Sequence, residues 1–203
     1  MSKTVKKNSA AEKRAIPKAR GEFHTARSEA MNAYAGLEQN MSMLFASLLG
    51  TDHPRAFAAF EAVIDSRAKW VMLEKLLTLN HGDKYKKFFN GLMREAGRLN
   101  RSRNKIVHWI VYITRRGEEP FDPSQDIFLG EHPDLFGKGQ MFLGEINDFK
   151  HKTEFYATLI MSFNLFLMAP DLRSDPEKTR WHEIFLSEPV YPPPLGHPLD
   201  RFH

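Results

Sequence analysis

The sequence predicts an all-α fold: a four- or five-helix bundle with a long irregular insertion before its last helix. Three observations predict it. Apolar residues recur at spacings of three and four over long stretches. Gly, Pro and Asp stand where those stretches would end. Between about residues 112 and 143 the periodicity lapses and Gly and Pro become frequent.

Taken in order, residues 1–24 are polar and basic and read as a flexible tail. A first helix is expected from Ala26 to Leu49, with Met31, Tyr34, Leu37, Met41, Leu44, Phe45 and Leu48 on one face. Gly50 provides a left-handed stop, Thr51 and Asp52 offer caps, and Pro54 suits the first turn of a second helix. That helix is expected to run unbroken to about Leu79, with Phe57, Phe60, Val63, Ile64, Val71, Leu76 and Leu77 inward. Asn80-His81-Gly82 makes a short turn and Asp83 a cap for the third helix. Helices joined so closely should lie antiparallel.

The third helix carries Tyr85, Phe88, Phe89, Leu92 and Leu99. Its helical character is expected to continue through Ile106, Val107, Ile110 and Val111, with a break near Asn100 to Ser102. Within the 112–143 insertion, the apolar runs at 126–129 and 140–143 suit a small β-hairpin. A last long helix spans Glu145 to Met168, and Pro170 stops it. The expected organisation is thus a tail (1–24), a helical domain (25–169) and a Pro-rich C-terminal extension (170–203). In that extension Trp181, Phe185 and Tyr191 are suited to docking on the body or on a partner subunit.

Composition narrows the function classes. With 42% hydrophobic residues and 16 Phe in 203, the chain can bury a core. The absence of cysteine excludes disulfides, thiolate metal sites and cysteine nucleophiles, and makes a cytoplasmic location the natural expectation. No apolar run reaches the ~18 residues of a membrane span, and Met1 to Lys18 lacks the apolar core of a signal peptide, so no membrane role is expected. The net charge of +4 is uneven. Residues 1–20 hold seven basic residues against one acidic, whereas residues 82–116 hold ten Lys or Arg against Asp83 and Glu95. Such a concentration attracts phosphate, although a charge run is more often only a solvated helix face.

The most informative stretch is Arg101-Ser102-Arg103-Asn104-Lys105-Ile106-Val107-His108-Trp109. On a helix of ~100° per residue, Arg101 lies about 20° and Asn104 about 40° from His108, whereas Arg103 lies about 140° away. Arg101, Asn104 and His108 would form one polar stripe, with Arg94 a further heptad back. A histidine with this company suits general acid–base work near neutral pH, and arginines suit phosphate.

Arg103-Asn104 followed by His108 resembles the signature of the HEPN superfamily, an arginine, often followed by a polar residue, with four to six residues between it and a histidine. The resemblance covers roughly residues 26–169 and extends to the helical context: two long helices, a basic third helix bearing the motif, and a final apolar helix. It implies a HEPN-like bundle and a metal-independent endoribonuclease. In that reading, two motifs meet across a homodimer and cleave RNA by attack of the ribose 2′-hydroxyl. Arg103, His108 and Asn104 would be catalytic, and Arg101, Arg94, Arg98 and Lys105 would bind phosphate. The family motif favours Arg103 as the partner of His108, the ideal helix favours Arg101, and both stay open. A toxin or anti-phage defence setting, with an antitoxin or another protein partner, is implied by the resemblance alone. Neither a cofactor nor a metal is expected.

Two other readings stand beside it: a noncatalytic module that binds RNA or a nucleotide through the Arg94 to Lys105 face, and a helical protein-interaction module. Asp65, Arg67 and Glu95 read as ion-pair formers that position the motif or simply decorate the surface. His132, His151, His182, His197 and His203 show no metal-ligand spacing. No phosphate-binding glycine loop occurs.

Overall fold

The computed structural model describes residues 10–114, 120–131, 139–168 and 175–202. The bundle is built from α1 (Ala10–Leu49), α2 (His53–Glu61), α3 (Ser66–His81), α4 (Lys86–His108) and α6 (Leu143–Met168), followed by α7 (Asp175–Leu186). A three-stranded antiparallel sheet stands between α4 and α6. It comprises β1 (Ile110–Ile113), β2 (Ile127–Gly130) and β3 (Met141–Phe142), with the short α5 (Pro123–Asp126) leading into β2. The all-α bundle with a small hairpin insertion is therefore the observed fold. No described helix is long and apolar enough to cross a membrane.

The longest contact runs between α1 and α6, and α4 lies against α1, α3, α6, α7 and β2. Aromatic rings fill the junction of α4, α6 and α7. Phe163 lies 4.9 Å from both Phe88 and Phe185, and Trp181 stacks on Phe185 at 5.2 Å. Trp181 and Phe185 thus dock the C-terminal extension onto the body, and Tyr191 follows by packing against Phe155 at 5.4 Å.

Several elements depart from expectation for identifiable reasons. The helix expected to start at Ala26 starts at Ala10, so residues 10–24 belong to α1 and are no tail; residues 1–9 lie outside the described residues. Ala19, Phe23, Ala26 and Ala30 are buried at spacings of four, three and four, a helical stripe made mostly of small residues. The second helix is two. Asp52 caps α2, and the chain breaks after Glu61 and restarts where the Asp65 carboxylate accepts from the backbone N–H groups of Arg67 and Ala68. Two residues expected inward at that step are outward: Phe57 is exposed, and Ile64 is 96% exposed.

Gly50 does adopt positive φ (69°) after α1. Asp83, by contrast, does not cap α4; it pairs with Lys86 at 3.3 Å while Tyr85 occupies the cap position. No break interrupts α4 at Asn100 to Ser102. The helix ends at His108 because Trp109 turns extended (φ −79°, ψ 150°), and the β-branched and aromatic run Ile110-Val111-Tyr112-Ile113 pairs with β2. The hairpin of β2 and β3 lies at the expected runs, and the last helix begins two residues early, at Leu143. Pro170 lies outside the described residues. The extension also contains α7, which its prolines conceal.

Candidate functional site at the end of helix α4

Helix α4 buries Phe88, Phe89, Leu92, Ala96, Leu99 and Ile106 and leaves its basic side chains on the remaining surface. Those cations fall into two groups. In the first half Arg94 and Arg98 are met by carboxylates. Glu95, only 6% exposed, accepts from Arg98 through Oε1 and lies 3.0 Å from Lys152 Nζ through Oε2. Arg94 Nε is 4.0 Å from the same carboxylate, and its guanidinium also pairs with Glu188. The segment after α7 thereby lies directly on α4. At Gly91 an added Cβ would come within 2.7 Å of Glu188 and Pro189, so only glycine permits this approach. The Arg94 and Arg98 expected to bind phosphate are thus engaged with carboxylates.

In the second half the pattern changes. Arg101 is exposed, with no hydrogen bond or ion pair to a described residue, and so is Asn104 apart from one contact with Arg103. His108 is exposed as the last residue of the helix. The polar stripe of Arg101, Asn104 and His108 expected from helix geometry therefore faces solvent. Lys105 sets its ammonium 5.0 Å from the centre of the Trp109 ring.

Arg103 is directed differently. Its guanidinium stands 5.7 Å from the Tyr34 ring centre, on α1, and Nη1 donates to Asn104 Oδ1 at 3.2 Å. It thus reaches the stripe through Asn104, and no described contact joins either arginine directly to His108. Behind it, the Tyr34 hydroxyl donates to Asn100 Oδ1 at 3.1 Å. Burial, with Glu38 adding to it, pushes that hydroxyl up to about 12. The Glu38 carboxyl is also pushed above its ordinary range, because burial outweighs the opposing charges of Lys69 and Arg103. Lys69 is itself buried and bonded to Glu61 at 3.0 Å. Helical periodicity places Tyr34 in the core and gives no role to Glu38, Lys69 or Asn100. Their spacing along the chain carries no signal, since α1, α3 and α4 bring them together.

The end of α4 is held in place from outside. Arg27 Nη2 on α1 donates to the Val107 carbonyl at 2.8 Å, satisfying one of the free acceptors of the last turn. Trp109 N–H returns to the Lys105 carbonyl at 2.9 Å. Gly139, just before β3, lies close enough that a Cβ there would be 3.4 Å from the Trp109 ring. The insertion thus returns to the residue next to His108. Asp65 and Arg67 do not pair with each other through their side chains. Asp65 caps α3, and the Arg67 side chain has no partner among the described residues. No three His, Asp or Glu side chains among the described residues gather as a metal-ligand set.

No family model matches the chain, and no curated protein and no solved structure matches it.

Proposed function

We propose that the chain is a HEPN-type endoribonuclease that acts as a homodimer and needs no metal. The observation that carries this reading is the solvent-facing stripe of Arg101, Asn104 and His108 at the fixed end of α4, where the arginines of the preceding turns are held by carboxylates. Neutral His108 takes the proton of a ribose 2′-hydroxyl, and the oxygen attacks the adjacent phosphorus. The 5′-oxygen of the next nucleotide leaves and takes a proton from the second copy's imidazolium, which becomes neutral as the first His108 becomes charged. The products carry a 2′,3′-cyclic phosphate and a 5′-hydroxyl. Arg103 orients Asn104, whose amide donates to a nonbridging oxygen of the scissile phosphate, and Arg101 holds a neighbouring phosphate of the strand.

The test is cleavage of single-stranded RNA in EDTA, with the termini identified by mass spectrometry. Wild type is expected to give cyclic phosphate ends. His108→Ala is expected to lose about 10²–10⁴-fold in rate, with an unchanged melting curve because the ring is exposed. Full activity in that variant would remove His108 from the chemistry. A noncatalytic RNA- or nucleotide-binding module is the second reading, favoured by the turn of Arg103 toward Tyr34. It predicts salt-dependent binding with intact RNA recovered afterwards.

A further inference from the structure

A second feature of α4 lies upstream of His108 on the same side of the helix. Between the start of α3 and the middle of α4 is an open cleft of about 450 Å³. Its apolar lining comes from Ile64, Trp70 and Met93, and its polar lining from Arg67, Asn100 and Arg101. None of the three polar groups is used up by the fold. The Arg67 and Arg101 guanidiniums have no partner among the described residues. Asn100 spends only its carbonyl oxygen, on Tyr34, which leaves its two N–H donors available. Asp65 also lines the cleft, each of its oxygens accepting one backbone N–H at the start of α3, from Arg67 and Ala68, so its charge is set against the positive end of that helix. The Ile64 side chain, almost fully exposed, forms an apolar wall that core packing does not explain.

We infer that this cleft is a nucleotide subsite. It takes one phosphate between Arg67 and Arg101 and one base against Ile64, Trp70 and Met93. A phosphate needs convergent cationic donors, and a base needs an apolar surface with a hydrogen-bond group at its edge; the cleft presents both side by side. The subsite rests on the reading of RNA as substrate. Arg101 and His108 are seven residues apart on an unbroken helix, ~10 Å along the axis. A nucleotide in the cleft therefore places a neighbouring unit of an extended strand at the imidazole. Substrate selection by the base in the cleft is thereby separated from cleavage at His108.

Gly97 supplies a clean test. It lines the cleft, and an added Cβ there meets nothing within 4 Å. Gly97→Leu would fill the cleft, keep every charge, and favour the helix. Adenosine 5′-monophosphate, adenosine and inorganic phosphate are titrated separately into the full chain, followed by the amide and indole shifts of residues 64–70 and 93–101. The nucleotide is expected to bind at least about ten-fold more tightly than either fragment. Gly97→Leu and the double variant Arg67→Glu, Arg101→Glu are each expected to weaken it by a similar factor, with melting curves confirming the fold. With a short RNA, Gly97→Leu is expected to raise KM and leave kcat unchanged.

Nucleotide binding no tighter than phosphate alone, or unaffected by Gly97→Leu, overturns the subsite even when RNA is still cleaved. Binding that depends on Gly97 in a protein that never cleaves RNA keeps the subsite and overturns the nuclease reading instead.

Discussion

The two halves of α4 carry the same kind of residue to opposite ends. Arg94 and Arg98 gather with Lys152 around the buried Glu95, and Glu188 closes over Arg94 from the C-terminal segment. Arg101, two turns after Arg94 on the same helical face, has no such partner, and the stripe continues open to His108. α4 supplies its own carboxylate, Glu95, to the first half and no acidic residue after it. The fold adds Glu188, which the C-terminal segment brings onto Arg94 and not onto Arg101. Local net charge is therefore a poor guide to a phosphate site until the counter-charges brought in by the fold are known.

The comparison is broken most forcefully at Glu95. Its carboxylate holds three cations from α4 and α6, and replacing it with Gln leaves them facing one another. A fully buried pair would lose 3–5 kcal/mol on losing one partner. Here the cations are partly solvated, so Glu95→Gln is expected to destabilise the fold by roughly 2–3 kcal/mol. Denaturant unfolding measures this directly. A loss under about 0.5 kcal/mol, the range of an ordinary surface substitution, would show that the first half of α4 is no structural ion cluster.

RNA binding sharpens the same contrast. Each phosphate neutralised on a single strand contributes about 0.7 to the slope of log affinity against log salt. Arg101→Gln is expected to reduce that slope by about this amount, and Arg94→Gln with Arg98→Gln to leave it unchanged. An equal reduction from both would mean that Glu95 and Glu188 release their arginines on binding, and that the basic face is continuous after all.

The bundle is legible in the sequence because its large apolar side chains repeat at helical spacing, as Phe88, Leu92 and Leu99 do on α4 and Phe149, Ile160 and Phe163 on α6. The hidden features have other causes. Among the described side chains, the first sixteen residues of α1 bury only Ala19 and Phe23, too few to mark a helical face. The division between α2 and α3 is made by a cap at Asp65 inside an apolar run, and α7 lies among prolines. The stripe of Arg101, Asn104 and His108 follows from helix geometry alone. The turn of Arg103 toward Tyr34, the closure of Glu188 on Arg94 and the cleft beside Arg67 depend on contacts between elements far apart in the chain. No spacing rule encodes those.

Glu38 gives the smallest test and the one that contrasts two carboxylates. Glu95, in the first half of the comparison, is ringed by cations at ion-pair distance. Glu38 lies behind the second half, half-buried, and burial raises its pKa despite the charges of Lys69 and Arg103. A carboxyl whose folded pKa exceeds its unfolded one stabilises the fold at low pH, and that contribution is lost as pH rises through the folded value. Ionised Glu38 therefore weighs against folding at neutral pH. Glu38→Gln is expected to be more stable than wild type at pH 7, by less than about 1 kcal/mol given its partial exposure and two nearby cations. The gain should shrink on acidification and vanish below about pH 4, where wild type is protonated too. Thermal melts of both proteins from pH 3.5 to 8 would trace this. A variant less stable than wild type at pH 7 would mean that Glu38 is held by Lys69 and Arg103 as firmly as Glu95 is by its own cations. Arg103 would then serve the fold in the way Arg94 and Arg98 do, leaving Arg101 as the phosphate-binding arginine beside His108.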